Sequence, residues 1–381
     1  VQYPAGVSQR TWSLTASEVI TAGRLRANVT APLWLISSPP MAILAQQLSA
    51  STLSSGSYLT VNPLDTEILD TGGGHSDSAN PFRCYIPTTG WWLIRGAVPF
   101  TAATSNSQFS FGAGLFIGHE TSIAYYGGRH PGPASSSGAV MPNVADLFPL
   151  NSASPITSGD WFQVQGFQDT GSPLAVAISA GAGVFPWTAA RWCGTQTGTA
   201  GLPLPSPAAF SDVTEITGAF MNANLRDTVN FLAFPPMARL SNGGASQSIS
   251  NTTDSPVNWA SSTVTSLNSD NYGGWSGSGS RWHAPVNGRY YLAGQVAWAT
   301  ASGGQFSAGL RVNGGGTVWR GTRATPPTTS TQGLITTVEQ TLRMSAGDYV
   351  EVIAAQSTGG TVALNTSAPA YSKLIALWRG A

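Results

Sequence analysis

ANLRDTVNFLAFPPMARL, from Ala223 to Leu240, is a charged, helix-like stretch closed by two prolines, set midway along a chain that otherwise reads as strand and turn. It has an echo. ANVTAPLWLISSPPMAIL, from Ala27 to Leu44, shares with it Ala-Asn, an aliphatic residue, Pro-Pro-Met-Ala and a terminal Leu at a constant offset of 196 residues. Thr21 with Thr217, and Leu25 with Met221, extend the match upstream. Downstream, PTTGWWLIRG (Pro87 to Gly96) aligns with PVNGRYYLAG (Pro285 to Gly294), and QFSFGAGLFIG (Gln108 to Gly118) with QFSAGLRVNG (Gln305 to Gly314). SGDWFQV (Ser158 to Val164) then aligns with AGDYVEV (Ala346 to Val352), and ARWCG near Cys193 with ALWRG at the end of the chain. Matched blocks in the same order mark an internal duplication, and the drifting offset puts the length differences in loops.

Each copy reads as a helical lead-in, a Pro-Pro stop and a run of short strands. The apolar residues Leu25, Val29, Leu33 and Ile36, and likewise Met221, Leu225, Val229 and Leu232, are spaced four, four and three apart, close to the helical period. Thr15 with Glu18 has capping-box spacing ahead of the first lead-in, and Asp212 with Glu215 offers a weaker start for the second. Pro32 removes a backbone donor inside the first, which predicts a shorter or kinked helix there. Either stripe can pack on the adjacent sandwich or join identical helices about a symmetry axis. Asn287-Gly288 and Asn313-Gly314 are turn signals beside apolar strand patterns, Asp348 to Val352 alternates behind a glycine, and Leu374 to Trp378 is a short buried run.

The reading is therefore all-β: two tandem jelly-roll β-sandwiches, each preceded by a short helix. An N-terminal arm and first lead-in take residues 1–45, and the first jelly roll 46–200. A linker and second lead-in follow over 201–245, and the second jelly roll over 246–381.

Composition narrows the function classes. Of 381 residues only 9% are charged, while 44 Gly, 25 Pro, 13 Trp, 10 Tyr and 14 Phe describe a turn-rich protein with real cores rather than a disordered one. Seventeen basic against seventeen acidic residues leave no electrostatic footprint for nucleic acid or an anionic membrane. Lys373 is the sole lysine, an arginine bias that a GC-rich coding genome produces as readily as any chemistry. Val1 to Trp12 has no secretory pattern, and the apolar run Leu33 to Leu44 is broken by Pro39 and Pro40 and too short to span a bilayer, so the chain reads as soluble. Cys84 and Cys193 permit one disulfide or, more simply, two small buried apolar residues.

The second copy, from SRWHAPVNGRYYLAGQVAW through LRVNGGG to LRMSAGDYVEVIAAQSTGGTVAL, resembles the complement C1q and tumour-necrosis-factor type of jelly roll, with a Pro-x-x-Gly-x-Tyr strand, a central Asn-Gly hairpin and a Gly-Asp-x-Val strand in that order. The resemblance covers residues 205–381; the first copy is reached through the repeat. It implies a homotrimer. The lead-in TGAFMNANLRDTVNFL is similar to segments preceding such domains in tail and tail-fibre proteins of phages infecting actinobacteria. That similarity implies a virion protein on the tail, bound to other virion proteins and touching the host surface, with a trimeric capsid decoration protein and a carbohydrate-binding lectin as alternatives.

No catalytic pattern stands out. His75, His119, His130 and His283 are scattered, and His119-Glu120 has Ile123 where a zinc-protease helix needs its second His. Gly72 to Gly74 and Gly314 to Gly316 read as hairpin loops, and Asp65, Glu67 and Asp70 form the main acidic cluster without nominating a glycosidase pair. No cofactor and no metal is expected, although Asp254, Asp270 and Asn271 are loop oxygens of the kind that hold calcium. Tyr272 and Trp275, in NYGGW, are the candidate surface-recognition loop, chemically suited to a cell-surface glycan; Trp275 can instead tuck over the end of the sandwich.

Overall fold

The computed structural model describes residues 41–45, most of 51–194 and most of 225–380; residues 1–40, 46–50, 195–224 and several loop segments lie outside the described set. It contains strands β1 to β24 and, among the described residues, one helix, α1, Asp227–Ala233.

The duplication is visible strand by strand. In the first copy one sheet runs β4(Thr66–Asp70)–β1(Met41–Ala45)–β12(Trp187–Gly194)–β6(Gly90–Ala97)–β9(Asn143–Leu150). In the second the order is β16(Ser269–Asp270)–β13(Met237–Ser241)–β24(Lys373–Trp378)–β18(Gly288–Trp298)–β21(Leu334–Met344), each strand twelve places further along. The facing sheets match as well. β10(Trp161–Gln168) lies between β7(Ser110–Gly118), which continues to β8(Ile123–Pro131), and the short β3(Tyr58–Thr60) and β5(Cys84–Tyr85). β22(Tyr349–Gln356) lies between β19(Phe306–Val312), which continues to β20(Val318–Ala324), and the short β15(Ser255–Pro256) and β17(Trp282–His283). Two-stranded ribbons, β2(Thr52–Leu53) with β11(Leu174–Ala175) and β14(Ser248–Ile249) with β23(Val362–Ala363), complete each copy. All named pairings are antiparallel, and the last long strand of each copy inserts between its first and its sixth, the crossing connection that defines a jelly roll.

Each sandwich encloses its own core. Trp92, Ile94, Phe111, Phe148, Phe162 and Trp192 anchor the first; Tyr290, Leu292, Trp298, Phe306, Val352 and Leu374 anchor the second. The side chains between them in sequence point the other way, as the two-residue strand period requires.

Identical backbone problems are solved identically in the two copies. Gln168 ends β10 and spends its whole amide: Nε2 donates to the carbonyls of Leu53 and Ser172, both at 2.9 Å, and Oε1 accepts from Thr170 N at 2.8 Å and its hydroxyl at 2.7 Å. Gln356 at the end of β22 does the same with Ile249, Gly360 and Thr358. A Cβ on Gly90 would lie 2.2 Å from Trp192 Nε1 and 2.3 Å from the Gly194 carbonyl; on Gly288 it would meet Trp378 Nε1 at 2.2 Å and the Gly380 carbonyl at 2.6 Å. Gly288, expected as part of a turn, thus begins β18, and the reason it is glycine is the indole laid across it. Asn313-Gly314 does form the expected hairpin, with φ of 53° and 65°.

The first strand of each copy is the segment directly after Pro-Pro, so the sheets begin at Met41 and Met237, inside the stretches read from sequence as lead-ins. Proline stops the helical pattern and the chain enters a sheet at once.

Candidate functional site

The two sandwiches meet through the sheet faces that point away from their cores. Trp91 and Leu93 of β6, Leu147 of β9 and Cys193 of β12 pack against Met237 of β13, Tyr291 and Ala293 of β18, and Ile375 and Leu377 of β24. Strands β6, β18 and β24 are consequently buried on both faces, which explains why GWWLIRGA and KLIALW are nearly continuous apolar runs although their sheets are antiparallel. One backbone bridge, Ile335 with Arg129, also joins β21 to β8 across the seam.

Charge locks this seam in one direction. Asp146 on edge strand β9 is fully buried and accepts from Arg239 Nε at 2.7 Å and Nη2 at 3.0 Å, and from Lys373 Nζ at 2.6 Å. Burial alone would raise the Asp146 carboxyl, but the two cations and their hydrogen bonds more than reverse this and hold it well below the usual carboxylate range. The arrangement is not repeated with the copies exchanged. In register, Gln340 stands where Asp146 would recur, while Ile43 and Trp187 stand where Arg239 and Lys373 would. The opposite contact is a more exposed pair, Arg95 with Glu339 at 2.5 Å.

Helix α1 is wedged beside the seam. Phe231 meets Tyr272 and Trp378 of the second copy edge-on, at ring-centroid distances of 5.9 and 5.1 Å, while Ala233 and Phe234 belong to the core of the first. Of the stripe expected here, Val229 is buried within the chain and Leu225 and Leu232 are half-buried; Met221, Leu25, Val29, Leu33 and Ile36 lie outside the described residues. Among the described residues the helix buries Val229, Phe231 and Ala233, residues two apart, because it is covered from more than one side.

Two clefts open along the seam and share Arg191 and Arg379. One, about 500 Å³, is lined by Leu93, Arg95, Tyr291 and Glu339 as well as by those two arginines. The other, about 330 Å³, adds Trp378, Leu232 and Pro235. Among the described residues no carboxylate forms an ion pair with Arg191 or Arg379. Burial, and then Arg191 and Arg95 as like charges, make the charged form of Arg379 less favourable, although the Cys193 and Tyr291 side chains act in the opposite sense. Burial, with the Glu339 carboxylate beside it, pushes the Tyr291 hydroxyl well above the usual phenol range.

Tyr272 is half-buried and turned toward the seam; Trp275 packs against the second core, its backbone N–H donating to Asp270 at 2.6 Å. The loop oxygens weighed for calcium are engaged internally and do not converge. Asp254 pairs with Arg320 at 2.7 and 2.8 Å, Asp270 accepts from Gly274, Trp275 and Trp282, and Asn271 binds the backbone at Met237 and Pro235. Among the described residues no group of three His, Cys, Asp or Glu is placed to hold a metal. Cys84 and Cys193 are both buried and free, so the disulfide alternative falls away. No helix among the described residues is long and apolar enough to cross a membrane.

Sequence reasoning passed over Asp146, Arg239, Lys373, Gln168 and Gln356. The glutamines carry a signal, Gln-x-Thr-Gly in both copies (Gln168 to Gly171, Gln356 to Gly359). The triad carries only a contrast: in the duplicated stretch PPMAIL against PPMARL, Arg239 replaces an isoleucine.

A fused pair of jelly rolls, joined face to face with grooves along the joint, is the class of protein that fold and site define. No family model and no curated protein matches the chain. It is similar in structure to Eiger TNF of S. frugiperda, at 13% identity and a TM-score of 0.29 over 38% of this chain and 94% of that one. It is similar also to the globular domain of zebrafish complement 1qA, at 11% and 0.25 over 40% and 96%, and to murine APRIL at pH 5.0, at 14% and 0.26 over 37% and 98%. The jelly-roll assignment itself rests on the strand order above.

Proposed function

We propose that this chain is a non-enzymatic structural protein of a phage virion, a homotrimeric minor tail or fibre protein that contacts the host surface. The observation that carries the reading is the joint: two sandwiches welded through their sheet faces form a stiff spacer, with loops and aromatic grooves left for contact. The lead-in TGAFMNANLRDTVNFL and its similarity to tail proteins supply the setting. Because the outer faces of the β6 and β18 sheets are used within the chain, trimer contacts belong to other surfaces, the lead-in segments first among them.

Gold-antibody labelling of intact particles from the source, viewed by electron microscopy, tests the reading. Label at the tail or its tip is the expected result; label spread over the head would make this a capsid decoration protein and overturn the tail assignment. Light scattering tests the oligomer separately. With a chain mass of 39.4 kDa a trimer has about 118 kDa, and a mass of one chain at micromolar concentration would exclude it.

A further inference from the structure

The two clefts along the seam present one continuous chemistry that the spacer role does not use. Arg191, on β12 of the first copy, and Arg379, just after β24 of the second, line both clefts. On one side lie Arg95, its charge shared with Glu339, and the Tyr291 ring, whose centroid is 5.8 Å from the Arg95 guanidinium and 6.0 Å from that of Arg379. On the other lies Trp378, half-buried, with Leu232 and Pro235 beside it. Among the described residues, three guanidinium groups against one carboxylate leave a net charge of about +2 in a groove with aromatic walls.

We propose that this groove binds an acidic saccharide, its carboxylate held between Arg191 and Arg379 and its ring laid against Trp378. Guanidinium forks match a planar carboxylate with paired N–H donors, and an indole face takes the C–H side of a sugar ring. A bare oxyanion uses only the arginines, and a neutral sugar only the aromatic wall. The proposal deepens the host-contact reading, since it names the kind of surface glycan recognised, and it rests on that reading for its biological setting alone.

The test is calorimetric titration of the full-length protein with glucuronate, glucose and inorganic sulfate, repeated with Arg191→Gln/Arg379→Gln and with Trp378→Phe. Both side chains reach solvent and neither forms an ion pair among the described residues, so melting and circular dichroism of the double variant should match the parent. Glucuronate should bind, glucose should not, and the double variant should lose about tenfold or more in affinity. Sulfate binding as tightly as glucuronate, with Trp378→Phe unchanged, would overturn the saccharide and leave a plain oxyanion site. Absence of glucuronate binding, or binding that survives loss of both arginines, would overturn the site altogether. None of these results moves the label on intact particles, so failure here and failure of the tail assignment are distinguishable.

Discussion

Asp146 is the residue on which the joint between the copies turns. Its carboxylate sits with Arg239 and Lys373, each of the three nearly inaccessible, and removing one member of such a group strands the others without a counter-charge. Asp146→Ala should cost about 3–5 kcal/mol in denaturant unfolding, whereas Arg95→Gln, at a half-exposed pair, should cost less than about 1 kcal/mol. Equal losses for the two would contradict the ranking. Acid acts on the same group. Because the folded-state carboxyl lies below its ordinary value, its contribution is complete above about pH 4 and is lost as pH falls from there toward the folded value. Melting temperatures should therefore fall more steeply below pH 4 in the parent than in Asp146→Ala; parallel curves would remove Asp146 as the cause. None of this was legible beforehand. An Asp on a strand, an Arg after Pro-Pro-Met-Ala and a lone Lys 227 residues from that Asp have no spacing in common, and only the packing of one copy on the other brings them together.

At the scale of elements, duplication made much of the fold readable. The Pro-Pro-Met-Ala echo, the Gly-Asp strands and the Trp-x-Gly endings each fall at equivalent places in the two sandwiches. In the lead-in, an apolar stripe implies one buried side, whereas the described helix α1 is held by the first core, by Tyr272 and by Trp378 at once. Phe231→Ala should cost about 3–5 kcal/mol as a core aromatic does, and a loss below about 1 kcal/mol would mean the wedge is not seated as described. The paired glutamines offer an internal control. Gln168→Ala and Gln356→Ala each strip the partners from two backbone carbonyls and one backbone N–H, and both should destabilise by about 1–3 kcal/mol. A large loss in one copy with none in the other would show that the two networks are not equivalent in solution. Gly288→Ala should also destabilise, since a methyl there meets both the Trp378 indole and the Gly380 carbonyl, and backbone cannot step aside as a side chain can.

At the scale of the whole molecule, the two jelly rolls are coupled into one body. Gene duplication supplies two cores, but it is the apolar seam of Trp91, Leu93, Leu147, Tyr291 and Leu377, together with the buried charges, that couples them. The seam follows from a sequence feature that was visible without being decisive: strands apolar on both faces say that something covers the second face, not what covers it. The most direct measurement is differential scanning calorimetry of the full chain beside Asp146→Ala. A single cooperative transition in the parent that splits into two in the variant is the predicted result. Two separate transitions in the parent, unchanged by the substitution, would show that the sandwiches are independent and would contradict the account.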